Sequence, residues 1–312
     1  MTSHRTVIAF AVSVVTALPA SPALALANRV FVSARTGNNA NGCDNVTTPC
    51  QTFAGAVLQL NPDGEVIVLD SGGYGPVTIT QGITIEAPAG VTAFVHPPSG
   101  DAITINAPSA KVILRGLVLN GGVNNGIEVQ AVGTLSVESC FITGFTNHGI
   151  HMGADGSLAV KGTDVKNCRH GIHISTASGT ATLSIDHCHL DSNVFDGFFA
   201  APHGPGASRT TATNSTANNN TVHGWVVGDG TSGLDVLNLE FCAGSGNGGS
   251  GIIGASGNAS SVARYSNSVF SNNAGYGVNR ASSGAFETRG NNTITGNDSG
   301  STHGTIGSFT PM

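Results

Sequence analysis

Short runs of alternating apolar and polar residues recur along the chain. One set of runs lies at residues 135–138, 158–161 and 183–186. A second set lies at residues 141–142, 164–165 and 189–190, and a third at residues 127–129, 150–152 and 172–174. The alternation has the period of two that β-strands show, and turn residues separate the runs. The pattern therefore predicts three short strands in each repeating unit and no helix inside it.

A glycine repeats at nearly constant spacing. The motif His-Gly-Ile-His occurs at residues 148–151 and 170–173, and its glycine has equivalents at Gly126, Gly149, Gly171, Gly197, Gly224, Gly251, Gly277 and Gly304. A period of between roughly 20 and 30 residues is typical of a solenoid. Its coils stack as parallel strands about 4.8 Å apart around an apolar interior. We therefore predict one parallel β-helix of about ten coils.

Asparagine occupies the position four residues before this glycine in five successive units. These residues are Asn167, Asn193, Asn220, Asn247 and Asn273. Asparagine tolerates the left-handed conformation of a tight turn, and its amide can bond to the same amide one coil away. We interpret the position as structural rather than as five separate sites.

The N-terminal part of the chain resembles the cap and first coils of exported bacterial β-helix proteins. The segments that carry this resemblance are residues 50–53, Ala56, and residues 64–70, 73–76 and 83–85. From about Arg29 onward the chain resembles the right-handed parallel β-helices of the pectin-lyase-like superfamily. The resemblance implies the fold but no single activity, because that superfamily contains lyases, hydrolases, epimerases and proteins with no known reaction.

The first 27 residues have the features of a signal peptide. His4 and Arg5 precede an apolar run at residues 7–18, and Ala25-Leu26-Ala27 matches a cleavage site. We expect a mature chain that starts at Asn28 and is secreted or periplasmic. Residues 28–76 are predicted to form an N-terminal cap and residues 77–312 the coils. No later stretch reaches the roughly 20 apolar residues of a membrane-spanning helix, so we expect no membrane span.

The predicted cap contains a helix and a disulfide. Residues 51–60 place Phe53, Val57 and Leu60 on one helical face, which would cover the open end of the apolar interior. Cys43 and Cys50 are close enough in the sequence to form a disulfide in an oxidising compartment. The remaining cysteines fall inside the repeats and are predicted to be buried free thiols: Cys140, Cys168, Cys188 and Cys242.

Composition narrows the choice of partner. The chain has 44 glycines, only 10% charged residues and a net charge of −6. It offers no basic surface, so we expect no nucleic-acid partner. A polar surface with few charges suits a neutral or weakly acidic polysaccharide or other glycan. The sequence leaves any cofactor undetermined.

Candidate chemistry concentrates between residues 148 and 191, which hold 13 charged residues and histidines. If Ile150 and Met152 point inward, His151 points outward, and Glu128 and His173 share its column on neighbouring coils. We predict Glu128, His151 and His173 to be catalytic, because imidazole titrates in the useful range. The same residue types could bind zinc, but one flat column offers no evident fourth ligand, and we assign no metal.

Other residues of these coils are predicted to be less central or to bind substrate. His148 and His170 precede the repeat glycine and are predicted to be turn residues that contribute little. Five residues are assigned to substrate binding: Lys161, Asp164, Asp186, His189 and Phe199. For Lys161 and Asp186 the alternative is strand register, because Arg115, Glu138, Lys161 and Asp186 alternate in charge from coil to coil. An insertion at residues 200–211 follows Phe199, and Trp225 falls in the inward column.

Two functions remain open from the sequence. The first is an exported β-helix that binds or modifies a polysaccharide along the outer face between Glu128 and Phe199. The second is a non-enzymatic surface or matrix protein whose outer columns only keep the coils in register. The chain contains no adjacent pair of aspartates, and its carboxylates are scattered. In the superfamily that the chain resembles, polygalacturonase-like hydrolysis and pectate-lyase-like elimination both depend on clustered carboxylates. The scattered carboxylates of this chain therefore argue against both reactions.

Overall fold

The computed structural model describes residues 26–228, 233–254, 261–281 and 283–309. These residues form an all-β, right-handed parallel β-helix with three ladders of short strands and one helix of five residues. The predicted fold, with three strands per coil, is therefore confirmed. The predicted signal peptide lies outside the described residues except for Leu26 and Ala27. In the described part of the chain, no helix is long and apolar enough to cross a bilayer.

The third-strand ladder follows the repeat glycine. Its strands are Val77–Ile79, Ile103–Arg115, Ile127–Glu138, His148–Met152, His170–Ile174, Phe198–Ala200, Trp225–Val227, Ile252–Gly254, Tyr276–Arg280 and Gly300–His303. Two of these strands, Ile103–Arg115 and Ile127–Glu138, bend so that their second halves join the next ladder.

The first-strand ladder opens each repeating unit. Besides those two second halves it contains Ala27–Val32, Leu60–Val68, Ile83–Glu86, Gly156–Lys161, Thr180–Asp186, Ala207–Thr213, Asp235–Glu240, Val262–Ser266, Ala285–Thr288 and Gly307–Ser308. The predicted insertion at residues 200–211 is thus shorter than expected, because Ala207 already begins a strand.

The second-strand ladder is the least regular. Its strands are Gly72–Gly73, Ala93–Val95, Leu117–Gly122, Phe141–Phe145, Asp164–Lys166, Val269–Ser271 and Thr293–Thr295. Isolated bridges through His189, Thr216 and Ala243 continue it across the middle coils.

Alternation along each strand decides which side chains fill the interior. In the strand His148–Met152, Ile150 and Met152 are fully buried, whereas His151 between them faces outward and is half-buried. Trp225 lies in the inward column, fully buried, and its indole N–H donates to the carbonyl oxygen of Ala243 at 2.9 Å. Its predicted place in the core is confirmed. The free thiols of the repeats are all buried, also as predicted.

The N-terminal cap has the predicted disulfide but a shorter helix. Cys43 and Cys50 are bonded. The helix spans Phe53–Val57, and Thr52 caps it by accepting a hydrogen bond from the backbone N–H of Gly55. The prediction of a helix through residue 60 was wrong, because Leu60 begins a strand. The sequence that follows is Asn-Pro-Asp, and a residue before proline disfavours the helical conformation.

The asparagine position divides into two neighbouring roles. Asn193 donates from Nδ2 to Oδ1 of Asn220 at 3.2 Å, and the ladder continues through Asn247 and Asn273 to Asn297. Asn167 does not belong to it. Asn167 adopts a left-handed conformation with φ of 54°, the role that Ser192 and Asn219 have in later coils. Its coil is shorter, so the left-handed residue, not the ladder residue, falls four positions before the glycine.

Candidate functional site: a histidine corner

The repeat glycine marks a bend between the second and third strands of each coil. A Cβ added at Gly149 would collide with Val165 and lie 2.7 Å from the carbonyl oxygen of Gly171. The close approach requires glycine here. The bend turns the residue before the glycine and the residue two positions after it toward the same outer side. In the first such coil, Asn125 Nδ2 donates across the bend to Glu128 Oε2 at 2.8 Å.

Four histidines from two successive coils meet in this bend. We call them, together with Glu128, the histidine corner: Glu128, His148, His151, His170 and His173. The ring centroids of His148 and His173 are 4.4 Å apart, and those of His151 and His173, which pair on adjacent rungs, are 5.1 Å apart and nearly parallel. His173 Nδ1 lies 3.1 Å from His148 Nε2, so one of these imidazoles donates to the other.

The prediction that His148 and His170 are turn residues was wrong, whereas their small contribution to function stays a prediction. Both begin strands, at His148–Met152 and His170–Ile174, and their rings line the corner. In a straight strand with strict alternation, the side chains of His148 and His170 would point away from those of His151 and His173. The bend at the glycine instead brings all four side chains to the same outer side.

Burial keeps two of the imidazoles neutral. It lowers the pKa of His148 from 6.5 to about 3, and the neighbouring charges of His151, His170 and Arg169 act in the same direction. It lowers the pKa of His173 to about 2, again with help from the surrounding imidazoles. At neutral pH this pair therefore carries no charge and works through its N–H groups and lone pairs.

His151 is held between a carboxylate and a hydroxyl. Its Nδ1 lies 2.6 Å from Glu128 Oε2, and its Nε2 lies 2.7 Å from the hydroxyl oxygen of Ser175. The side chains of His151 and Glu128 are 20% and 15% exposed. A neutral His151 satisfies both contacts if Nδ1–H donates to Glu128 and Nε2 accepts from Ser175. This tautomer leaves Nε2 as the basic nitrogen.

Phe199 closes the corner at the next coil. Its ring stacks on His170 with centroids 4.7 Å apart and on His173 at 5.0 Å. His170 Nδ1 is 3.1 Å from Asp196 Oδ2, but the two atoms are not aligned for a hydrogen bond. The aromatic ring and the carboxylate continue the corner along the axis of the β-helix.

Two adjoining pockets lie beside the histidine corner. The first, of about 380 Å³, is lined by Arg169, His170, Phe195, Asp196, Phe199, His223, Val226 and Ile253. The second, of about 310 Å³, is lined by Gly144, Phe145, Thr146, Asn167, Arg169, Val194 and Phe195. Arg169 and Phe195 border both pockets, with the guanidinium 5.1 Å from the ring centroid. We call the two pockets together the corner groove.

A larger pocket, of about 490 Å³, lies beside the capping helix. Asp101 is the one ionisable residue in its lining, and its carboxylate already accepts from the Asn124 side chain at 2.6 Å and from the Asn125 backbone at 3.0 Å. The pocket therefore offers no free reactive group, and its volume does not make it the better candidate.

The remaining predicted binding residues lie on other faces. Asp164 and His189 are neighbours in the second-strand ladder, as expected, but His189 Nδ1 contacts the Thr216 hydroxyl at 3.0 Å. Lys161 and Asp186 pair at the ends of first strands, where Asp186 contacts His187 Nδ1 at 2.9 Å. The structure does not bring these four side chains into the histidine corner.

Some residues in the column of charges that includes Lys161 and Asp186 hold neighbouring coils together. Arg115 bridges two coils, with its Nη1 2.8 Å from Glu86 Oε2 and its Nε 2.9 Å from Glu138 Oε2. Opposite charges on neighbouring rungs favour the observed register. Among the described residues, no three His, Cys, Asp or Glu side chains converge so that they could hold a metal ion.

Sequence reasoning missed Ser175, Arg169 and Phe195. Ser175 shares the outward parity of His173, two residues further along, and this was a signal that the sequence offered. Arg169 and Phe195 stand directly before the residues that flank the repeat glycine. Their positions carry no motif, and only the bend shows that they border a groove.

Comparison with known proteins supports the architecture. Residues 61–207 match a family model described as a right handed beta helix region. The chain has the fold of pectin-lyase-like β-helix proteins. No curated protein sequence was found to match it.

Two solved structures show how far the likeness extends. The pectate lyase Pel9A superposes on 87% of this β-helix protein and 78% of its own chain, with a TM-score of 0.65 and 16% identity. An alginate lyase from Paenibacillus sp. str. FPU-7 covers 90% of this chain and 100% of its own, with a TM-score of 0.56 and 13% identity. At such identities the likeness concerns the fold alone.

Proposed function

We propose that this β-helix protein binds or modifies a polysaccharide along the histidine corner and the corner groove. The observation that carries the proposal is the continuity of the two. His170 of the corner lines the first pocket, and Arg169 and Phe195 border both pockets. An extended chain lying along the β-helix axis would meet a new rung about every 4.8 Å and would contact both regions. Two proteins of similar fold are a pectate lyase and an alginate lyase, which agrees with a glycan ligand.

The groove offers the contacts that a sugar chain requires. Phe195 is 41% exposed and presents a flat apolar surface where the two pockets meet. Arg169 supplies a fixed positive charge beside it, suited to a carboxylate or a hydroxyl oxygen. A neutral or weakly acidic polysaccharide matches one cation flanked by aromatic rings and neutral imidazoles.

Binding is tested with a glycan array and with titration of the glycans that it retains. Phe195→Ala should weaken binding by about 10-fold or more, as loss of a central aromatic contact does. Phe94→Ala is a matched control, because Phe94 is also 41% exposed but lies on the second strand of an early coil. Equal weakening in both variants, or none in Phe195→Ala, would place the binding site elsewhere.

The same array addresses the structural alternative. A surface or matrix protein whose outer columns only maintain register would bind no glycan on the array and would release no product. The Arg115 bridge and the asparagine ladder are of this structural kind. The histidine corner differs from them, because His170 lines the corner groove.

We further propose that the protein is exported and that its mature chain starts at Asn28. The Cys43–Cys50 disulfide supports this proposal, because disulfides persist in oxidising compartments. N-terminal sequencing of the protein recovered from the periplasm or culture medium should read Asn-Arg-Val-Phe. Recovery of the full-length chain from the cytoplasm alone would contradict it.

A further inference from the structure

We propose that Ser175, His151 and Glu128 act as nucleophile, general base and orienting carboxylate in the hydrolysis of acyl esters carried by a polysaccharide. The acyl-ester chemistry stands on these three residues, and its polysaccharide substrate rests on the proposed function. The decisive geometry is a continuous chain of two short contacts, 2.6 Å from Glu128 to His151 and 2.7 Å from His151 to Ser175.

The stacking of coils builds this chain from three rungs. Glu128 pairs with His151 in the third-strand ladder, and His151 pairs in turn with His173 on the following coil. Ser175 lies two residues beyond His173, and its backbone N–H donates to the carbonyl oxygen of Met152 at 3.0 Å. That backbone bond places the Ser175 hydroxyl beside the His151 coil.

Neighbouring residues hold the members of this chain in place. Asn125 donates to the same Glu128 oxygen that faces His151, which fixes the carboxylate. Ser175 is half-buried rather than enclosed in the core. A Cβ added at Gly153 would lie 3.5 Å from His151 Cε1, so the glycine leaves the imidazole uncovered by a side chain at this position.

These positions match the roles of a nucleophile, a base and an orienting acid. The Ser175 oxygen attacks the ester carbonyl carbon while its proton passes to His151 Nε2. The resulting tetrahedral adduct breaks its bond to the sugar oxygen, which takes the proton from His151, and the acyl group stays on Ser175. Water then attacks the acyl carbon and passes a proton through His151 to Ser175, which releases the carboxylic acid. Glu128 stabilises the protonated imidazole in both halves.

Two measurements on the purified full chain test the chemistry. A fluorophosphonate probe should label Ser175, as located by peptide mass spectrometry, and 4-nitrophenyl acetate should be hydrolysed. Ser175→Ala should abolish the label and reduce hydrolysis at least about 100-fold, as loss of a nucleophile does. Ser184→Ala is the matched control, because Ser184 is an exposed strand serine of a neighbouring ladder and should retain both activities. Melting temperatures of both variants establish that they fold.

Glu128 is a positioning residue and needs its own measurement. Glu128→Gln keeps the shape of the side chain but removes the charge that stabilises protonated His151. The acidic limb of the pH profile of kcat/KM should therefore move to lower pH, which a merely structural role would not produce.

The substrate is tested separately with O-acetylated xylan and O-acetylated pectin, by measuring released acetate. Acetate release that is lost in Ser175→Ala supports the whole proposal. Hydrolysis of 4-nitrophenyl acetate through Ser175 without acetate release supports the triad and contradicts the polysaccharide substrate. Absence of labelling and hydrolysis in the unmodified protein overturns the triad, even if the glycan array still shows binding at Phe195.

Discussion

His173 Nδ1 and His148 Nε2 lie 3.1 Å apart, although the two residues belong to different coils. Neither ring is fully exposed, and each lies among other imidazoles. The contact requires that at least one of the two nitrogens is unprotonated, because protonating both rings would leave no acceptor and place two positive charges within a hydrogen-bond distance. Protonation of both rings would therefore break this contact between the two coils.

The histidine pair predicts acid sensitivity. The pKa values of His148 and His173 in the folded protein are about 3 and about 2, below the ordinary value of 6.5. At pH values between the folded and the ordinary pKa of these histidines, the unfolded chain binds more protons than the folded one. The stability that the neutral pair contributes is therefore complete above pH 6.5 and is lost as the pH falls. The melting temperature should decrease from pH 7 to pH 4, with a smaller decrease in His173→Asn.

Proton NMR distinguishes this from general acid denaturation. Imidazole signals that disappear in His148→Asn and in His173→Asn should keep the chemical shift of neutral histidine down to pH 4 in the unmodified protein. Titration of either signal near pH 6.5 would contradict the buried, neutral pair.

The asparagine ladder predicts a large and local loss of stability. Asn220→Ala removes the acceptor of Asn193 and the donor to Asn247, leaving buried polar groups unpaired. Because each costs about 1–3 kcal/mol, we expect urea unfolding to show a loss of about 2–4 kcal/mol. Asn167→Gly is the control. It keeps the left-handed turn and loses only an exposed bond to Thr143, so a comparable loss there would argue against the ladder.

The close contacts around Gly149 predict that even a methyl group at this position destabilises the protein. Gly149→Ala should lower the free energy of unfolding by about 1–3 kcal/mol, because the added methyl group meets Val165 and the Gly171 carbonyl. At Gly73 an added Cβ meets nothing within 4 Å, and Gly73→Ala should leave the melting temperature nearly unchanged. Equal melting temperatures for the two variants would show that the bend can relax.

The burial of Asp235 predicts that its replacement by asparagine stabilises the protein at high pH. The residue is fully buried, Ser208 donates to its Oδ1 at 2.6 Å, and burial raises its pKa to about 6. A raised pKa means that this contribution to stability is complete below the ordinary pKa and is lost as the pH rises through 6.

Asp235→Asn should therefore raise the free energy of unfolding at pH 8 by about 1–3 kcal/mol, since one pKa unit corresponds to about 1.4 kcal/mol. At pH 4.5, closer to the ordinary pKa of an aspartate, the same variant should show a clearly smaller gain. An equal effect at both pH values would assign the change to packing rather than to ionisation.

The sequence by itself determined the repeat and what lies inside it. Alternation placed Ile150, Met152 and Trp225 in the core, the spacing of glycines set the coils, and two close cysteines indicated the disulfide. These features depend on residues close together in the sequence or on a repeated spacing, so they can be predicted without knowing how the coils pack. Strand parity also placed Glu128, His151 and His173 on one outer column.

Only the tertiary structure decided which side chains meet at the corner. The bend at Gly149 and Gly171 depends on close contacts with the next coil, and it turns His148 and His170 toward His151 and His173. The same stacking brings Ser175 to His151 and sets Asn193, rather than Asn167, at the start of the asparagine ladder. Parity describes one straight strand, whereas a site on a β-helix is built from bends and from side chains that reach across rungs.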